Sequence, residues 1–176
     1  MVAQIPELPT LIEATLSTSD QMKELASYYH HKEHLLFIGR GLNYPIALEG
    51  ALKLKEISYI HAEAYPAAEM KHGPIALIDS TMPVFVVATD THTYSKLLSN
   101  IQEIKTRKGQ IIMLKQSEEE IPENIADFVI NIPQTHPHLS PILSSIPLQL
   151  YAYHSAKLRE CNVDQPRNLA KSVTVE

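Results

Sequence analysis

The feature that most narrows the folds open to this chain is an alternation. Short apolar runs rich in β-branched residues recur at 35–40, 84–89, 110–115 and 128–133, with amphipathic helical patterns at 44–58 and 93–108 between them. Strands separated by helix-length crossovers build a parallel sheet covered by helices. The expected fold is therefore α/β, a doubly wound parallel sheet flanked by helices.

The flanks of that pattern differ from it. Ahead of the first strand, Met22, Leu25, Ala26 and Tyr29 recur at helical spacing, and Thr18 with Gln21 has the spacing of a capping box. Residues 1–33 thus read as a helical linker or lead-in and 34–161 as the α/β domain. A last helix is expected over 140–161, where Ser140-Pro141 pairs a cap residue with proline at the first helical position. Pro147 is expected to kink it, and Gly109 stands where a C-cap glycine belongs. Residues 162–176 are polar without helical periodicity and read as an extended tail. Residues 1–176 read either as a natural gene product or as a piece of a longer one, with Met1 directly before a linker-like helix favouring the second.

Composition removes several classes of function. A chain of 176 residues with 44% hydrophobic content suits one core. Its net charge of -5, with no like-charge block longer than Glu118-Glu119-Glu120, offers no footprint for nucleic acid or an anionic membrane. No basic residue precedes Lys23, so a secretory n-region is missing, and the apolar run 83–88 is too short to cross a bilayer. The lone Cys161 excludes a disulfide within the chain and fits a reducing compartment. The sequence reads as cytoplasmic.

Ligands of open parallel sheets gather beyond the carboxyl ends of the strands, here the loops after Arg40, Thr89 and Lys115. Function is sought there and in the tail. On a helix over 44–58, at about 100° per residue, Glu49, Lys53 and Glu56 share one narrow stripe, while the rest of the circumference is apolar apart from Lys55. One reading is an i,i+4 surface pair of Glu49 with Lys53, and Glu56 as one more exposed charge. The other is a helix lining a cleft, its lysine attracting a sugar oxygen and its carboxylate acting as a general base.

The segment Ala67-Ala68-Glu69-Met70-Lys71-His72-Gly73-Pro74 reads as a short helix stopped by Gly73-Pro74. His72 in its last turn either caps carbonyls or, favoured as imidazolium by the helix dipole, serves as a proton donor. His30 with His34, read as an i,i+4 pair, and the cluster His136-Pro137-His138 both lack a third ligand. No metal is expected. Lys171 lies in a tail whose Leu169, Val173 and Val175 could dock it against the domain and bring the lysine to the cleft.

Three stretches carry a resemblance: Tyr44-Pro45-Ile46-Ala47-Leu48-Glu49-Gly50-Ala51-Leu52-Lys53-Leu54-Lys55-Glu56-Ile57-Ser58 with its continuation to Tyr65, Glu69-Met70-Lys71-His72-Gly73-Pro74, and Asp164-Gln165-Pro166-Arg167-Asn168-Leu169-Ala170-Lys171-Ser172-Val173-Thr174-Val175-Glu176. They closely resemble the glucosamine-6-phosphate synthase family, over 35–176. That family joins a glutaminase domain to two sugar-isomerase (SIS) domains, and this chain resembles the last third. The resemblance implies Glu56 as the base moving a proton between C1 and C2 of the open-chain sugar, and His72 in ring opening. It implies Lys171 as the tail lysine that can form a Schiff base with the fructose carbonyl, and Lys53 and Ala170 as substrate-binding residues. Fructose 6-phosphate and glucosamine 6-phosphate are the implied ligands, without a cofactor. The implied partners are the preceding SIS and glutaminase domains and, because the family's histidine reaches the neighbouring subunit's site, a second copy in a homodimer.

Two departures limit what this chain does alone. Position 2 is Val2 where the family's glutaminase has its cysteine nucleophile, so glutamine hydrolysis is not expected. The loop Thr89-Asp90-Thr91-His92-Thr93 has hydroxyls but no glycine to bring backbone N–H groups against a phosphate, so phosphate binding should be weak or lost. Two other readings stand beside the synthase: a non-catalytic SIS module that reports a sugar phosphate, and a stand-alone phosphosugar isomerase.

Overall fold

The computed structural model describes residues 1–116 and 120–169. After a 3-10 turn, helices α1 (Leu8–Leu16) and α2 (Ser19–Tyr29) lead into β1 (His34–Gly39). The chain continues through α3 (Asn43–Ser58), β2 (His61–Pro66), two 3-10 segments (Ala67–His72 and Pro74–Leu77) and β3 (Pro83–Ala88). It ends with α4 (Tyr94–Lys105), β4 (Gln110–Gln116), β5 (Phe128–Ile132) and α5 (Ser140–Leu158). All strand pairs are parallel, in one sheet of order β2-β1-β3-β4-β5. The doubly wound parallel sheet read from the sequence is the fold observed, and the order reverses between β1 and β3.

Hydrophobic burial explains the layering. On one face Phe37, Phe85, Ile112 and Leu114 pack with Met22 and Leu25 of α2, Leu54 of α3, and Leu148 and Tyr151 of α5. On the other, Ile38, Val86 and Met113 pack with Leu97, Ile101 and Ile104 of α4 and with Met70. Strand β3 is buried at every residue, as a central parallel strand covered on both sides must be. Phe37 stacks on Phe85 at 5.4 Å between ring centroids, and Tyr151 tilts against Phe85 at 5.7 Å. Because Met22, Leu25 and Ala26 are fully buried, α2 belongs to the same core as the sheet.

The edge strand β2 is the element missing from the apolar pattern. Its sequence His61-Ala62-Glu63-Ala64-Tyr65-Pro66 alternates polar with small apolar residues and has little strand propensity of its own. Register with β1, from His34↔His61 to Gly39↔Pro66, forms it. Glycine matters at the turn that follows β1. A Cβ on Gly39 would clash with the Asn43 carbonyl and lie 2.8 Å from the Tyr44 amide nitrogen, both backbone atoms of the first turn of α3.

Several local expectations are corrected. Thr18 and Gln21 form no capping box: the Thr18 hydroxyl donates to the Thr15 carbonyl (2.7 Å), and Gln21 Nε2 donates to the Val129 carbonyl (2.8 Å), tying α2 to β5. Gly109 is not the left-handed cap of α4, since the positive φ of 67° falls on Lys108. Glycine is required there for room, because a Cβ would sit 2.5 Å from Ile104 Cγ2 and 2.8 Å from Ile78 Cγ2.

Candidate functional site

Helix α3 starts at the carboxyl end of β1 and finishes just before the amino end of β2. Its last turns therefore lie toward the amino ends of the strands, and so do Lys53 and Glu56. The loops after Arg40, Thr89 and Lys115, where ligands of open parallel sheets gather, lie at the opposite, carboxyl end. Three-residue spacing on a helix brings Lys53 Nζ to 2.7 Å from Glu56 Oε2, whereas Glu49 Oε1 is 3.9 Å away. The close ion pair is thus Lys53–Glu56, not the Glu49–Lys53 pair of the surface reading. The hydrogen bond that Lys53 donates to Glu56 is the main reason its ammonium titrates above its ordinary value; burial opposes it, and the charges of Glu56 and Glu49 add to it. Lys53 is held as a cation, with its charge placed against the carboxylate that would accept a proton.

The tail meets this helix at its end. Tyr59 caps α3 in a left-handed conformation, φ 62°, and its hydroxyl accepts the Arg167 backbone N–H at 2.9 Å. The Arg167 guanidinium lies over the Tyr59 ring, 4.1 Å from the centroid. Asn162 Oδ1 accepts the N–H groups of Asp164 and Gln165 and turns the chain on its way there. Lys55, Glu56, Tyr59, Arg167, Asn168 and Leu169 together line a shallow pocket of about 290 Å³. Of the apolar residues expected to dock the tail, Leu169 is 54% exposed and Val173 and Val175 lie outside the described residues; the contact seen among the described residues is made by arginine on tyrosine. The signal that could have found it is the Tyr59 and Arg167 pair, each inside a stretch already singled out. Ala170 and Lys171 lie outside the described residues.

His72 ends the 3-10 segment Ala67–His72, before Gly73 at φ 145°, with its side chain exposed. Its neighbour Lys71 is paired to Glu103 Oε1 of α4 at 2.7 Å. A six-residue 3-10 segment aligns few peptide dipoles, so the dipole argument for an imidazolium is weak here. Ala67 and Met70 pack on the α4 face of the sheet, while α3 covers the other face. His72 does not line the Glu56 pocket of its own chain.

At the carboxyl ends of the strands, the Thr89 hydroxyl is buried and donates to Asn43 Oδ1 at 2.8 Å. Asp90 accepts the His92 N–H (3.1 Å) and the Thr93 hydroxyl (3.0 Å). Two of the loop's donors are thereby turned onto its own carboxylate. His30 caps α2 while His34 opens β1, so they do not share a helical face. Among the described residues, no group of three or more His, Cys, Asp or Glu is arranged to hold a metal ion. None of the helices among them is long and apolar enough to cross a membrane.

A parallel sheet of this order with helices on both faces, a Lys–Glu pair on the helix after β1 and a tail folded onto that helix's end define a doubly wound α/β domain with a site built on its first crossover. The SIS domain profile matches residues 28–159, and the chain belongs to the SIS domain family. The glutamine--fructose-6-phosphate aminotransferase (isomerizing) of Chlorobaculum tepidum is 56% identical over 173 residues, covering 98% of this chain and 28% of that protein. The enzyme of the same name from Bacteroides thetaiotaomicron is 53% identical over 176 residues, 100% of this chain and 29% of that protein. This chain thus spans under a third of the length of these curated relatives. Among solved structures, the C-terminal domain of glucosamine-fructose-6-phosphate aminotransferase from Francisella tularensis superimposes with a TM-score of 0.88 at 41% identity, over 93% of this chain and 46% of that one.

Proposed function

We propose that this chain is the C-terminal half of the isomerase part of a glutamine--fructose-6-phosphate aminotransferase. That enzyme converts fructose 6-phosphate and glutamine-derived ammonia to glucosamine 6-phosphate in amino-sugar biosynthesis. One observation carries the reading: the tail that leads to Lys171 is seated on the end of α3, lining one pocket with Glu56. A carboxylate, an ammonium 2.7 Å from it and Lys171, the further lysine of the tail sequence, are the groups that proton transfer on a ketose needs. Glu56 moves the proton between C1 and C2, and Lys53 balances its charge and attracts sugar oxygens. Lys171 forms the Schiff base at the fructose carbonyl, with Ala170 beside it on the substrate, and His72 opens the ring. A homodimer in which His72, exposed at the end of its 3-10 segment, serves the partner's site goes with this reading. A domain over 34–161 with α2 of the lead-in 1–33 packed into its core, and a tail over 162–176, go with this reading, as does a cytoplasmic location.

Asp90's hold on the donors of its own loop supports weak phosphate binding by this chain and a phosphate site on the preceding domain. The isolated chain is expected to make no glucosamine 6-phosphate from fructose 6-phosphate and ammonia. In the longer enzyme, Lys171→Arg is expected to abolish that product while glutamine hydrolysis continues. Turnover by the isolated chain at about 1 s⁻¹ or more, or full synthesis by the Lys171→Arg enzyme, would overturn the reading.

A further inference from the structure

The register of the edge strand pair sets His34 directly beside His61, each the first residue of its strand. Alternation along the strands points both side chains, with Leu36, Glu63 and Tyr65, to the face of the sheet away from α3. The two rings meet edge to face with Nδ1 atoms 3.3 Å apart. That separation is about the edge of a tetrahedron around an ion with metal–nitrogen bonds of about 2.0–2.1 Å.

A carboxylate stands within ion-pair reach of His61, farther away than a hydrogen bond. The second ring nitrogen of His61, Nε2, faces Glu63 Oε1 at 3.7 Å, and the other Glu63 oxygen accepts the Tyr65 hydroxyl. A metal-bound histidine keeps its remaining N–H on a carboxylate that is itself hydrogen-bonded, which orients the ring and raises its basicity. His34 and His61 also rim a cavity of about 210 Å³ with Leu36, Glu63, Leu77 and Met82, and this leaves room for solvent to complete the coordination.

We propose that His34 and His61 form a two-histidine site for a borderline divalent transition-metal ion, Zn²⁺, Ni²⁺ or Cu²⁺, with Glu63 as the outer-shell partner of His61. Imidazole ligands select these ions over Mg²⁺ and Ca²⁺, and the order of affinity should place Cu²⁺ above Ni²⁺. A bound ion clamps edge strand β2 to β1, and β2 runs straight into the segment that carries His72. The site is separate from the Lys53–Glu56 pocket and stands whether or not the proposed enzymatic role does.

The test is calorimetric titration of the chain with Ni²⁺ and Zn²⁺, and electron paramagnetic resonance of its one-equivalent Cu²⁺ complex. Saturable binding of one ion, with nitrogen couplings from two imidazoles, is expected. His34→Ala and His61→Ala should each abolish that binding and leave at most one coupled nitrogen, while Glu63→Gln should weaken it by about 10- to 100-fold. Both histidines are exposed, so circular dichroism should show the variants folded. Unchanged affinity in either alanine variant, or a two-nitrogen signal that moves only when His136 and His138 are replaced, would overturn the proposal.

Discussion

Replacing Glu56 by glutamine separates the two readings of the α3 stripe, because the change keeps the side chain's shape and removes its ability to take a proton. If Glu56 is the base, kcat of the longer enzyme should fall by roughly 10²–10⁴, or about 2.7–5.5 kcal/mol at about 1.36 kcal/mol per decade. The same change removes the ion pair to Lys53 at 2.7 Å, but side chains 29% and 33% exposed sit in high dielectric. Its effect on stability is therefore only about 0.3–0.5 kcal/mol. Glu49→Gln is the internal control, since that carboxylate lies on the same stripe 3.9 Å from Lys53. It should change kcat by less than about threefold, the equivalent of an exposed helical pair. The assay follows loss of a C1 deuterium label as fructose 6-phosphate is isomerised, with urea unfolding of both variants beside it. Equal small effects would return Glu56 to the role of a surface charge. A large effect at Glu49 would mean that the wrong carboxylate has been placed in the cleft.

Two further outcomes concern the scaffold. Gly39→Ala should destabilise the chain by about 3 kcal/mol in urea unfolding, because the added Cβ meets backbone atoms of Asn43 and Tyr44 that no rotamer change can move; a loss under about 1 kcal/mol would refute the close approach. His154 titrates below its ordinary value of 6.5, chiefly through burial and then the charge of Lys23, against weaker opposing effects of Asp20 and Ser19. A histidine depressed in the native state takes up protons more readily when unfolded, so stability should fall as pH drops below about 6.5. His154→Gln should flatten that part of the profile in thermal melts at pH 5 to 7, and an unchanged slope would assign the effect to another group.

Much of this protein was legible before any coordinates. Four strands, the three major helices after β1 and the parallel class followed from the alternation of apolar runs, since hydrophobic period is a local property of the chain. The stripe of Glu49, Lys53 and Glu56 followed in the same way from helical geometry. Strand β2 did not, because alanines between polar residues specify no strand until β1 offers its hydrogen bonds. Nor did the capping at Thr18, where the competing acceptor was one turn back and Gln21 found Val129 more than a hundred residues away.

The local pattern also left open which partner each functional side chain would take. Helix periodicity allowed Lys53 either Glu49 or Glu56, and side-chain geometry chose Glu56. Periodicity matched His30 with His34, whereas strand register set His34 against His61. The tail's route to α3 rests on Arg167 meeting Tyr59 across 108 residues of sequence. The sequence by itself determined the elements other than β2 and the faces they bury, because those depend on near neighbours along the chain. Only the tertiary structure decided the pairs that carry chemistry, because a contact between distant segments exists only once the core has fixed where both of them lie.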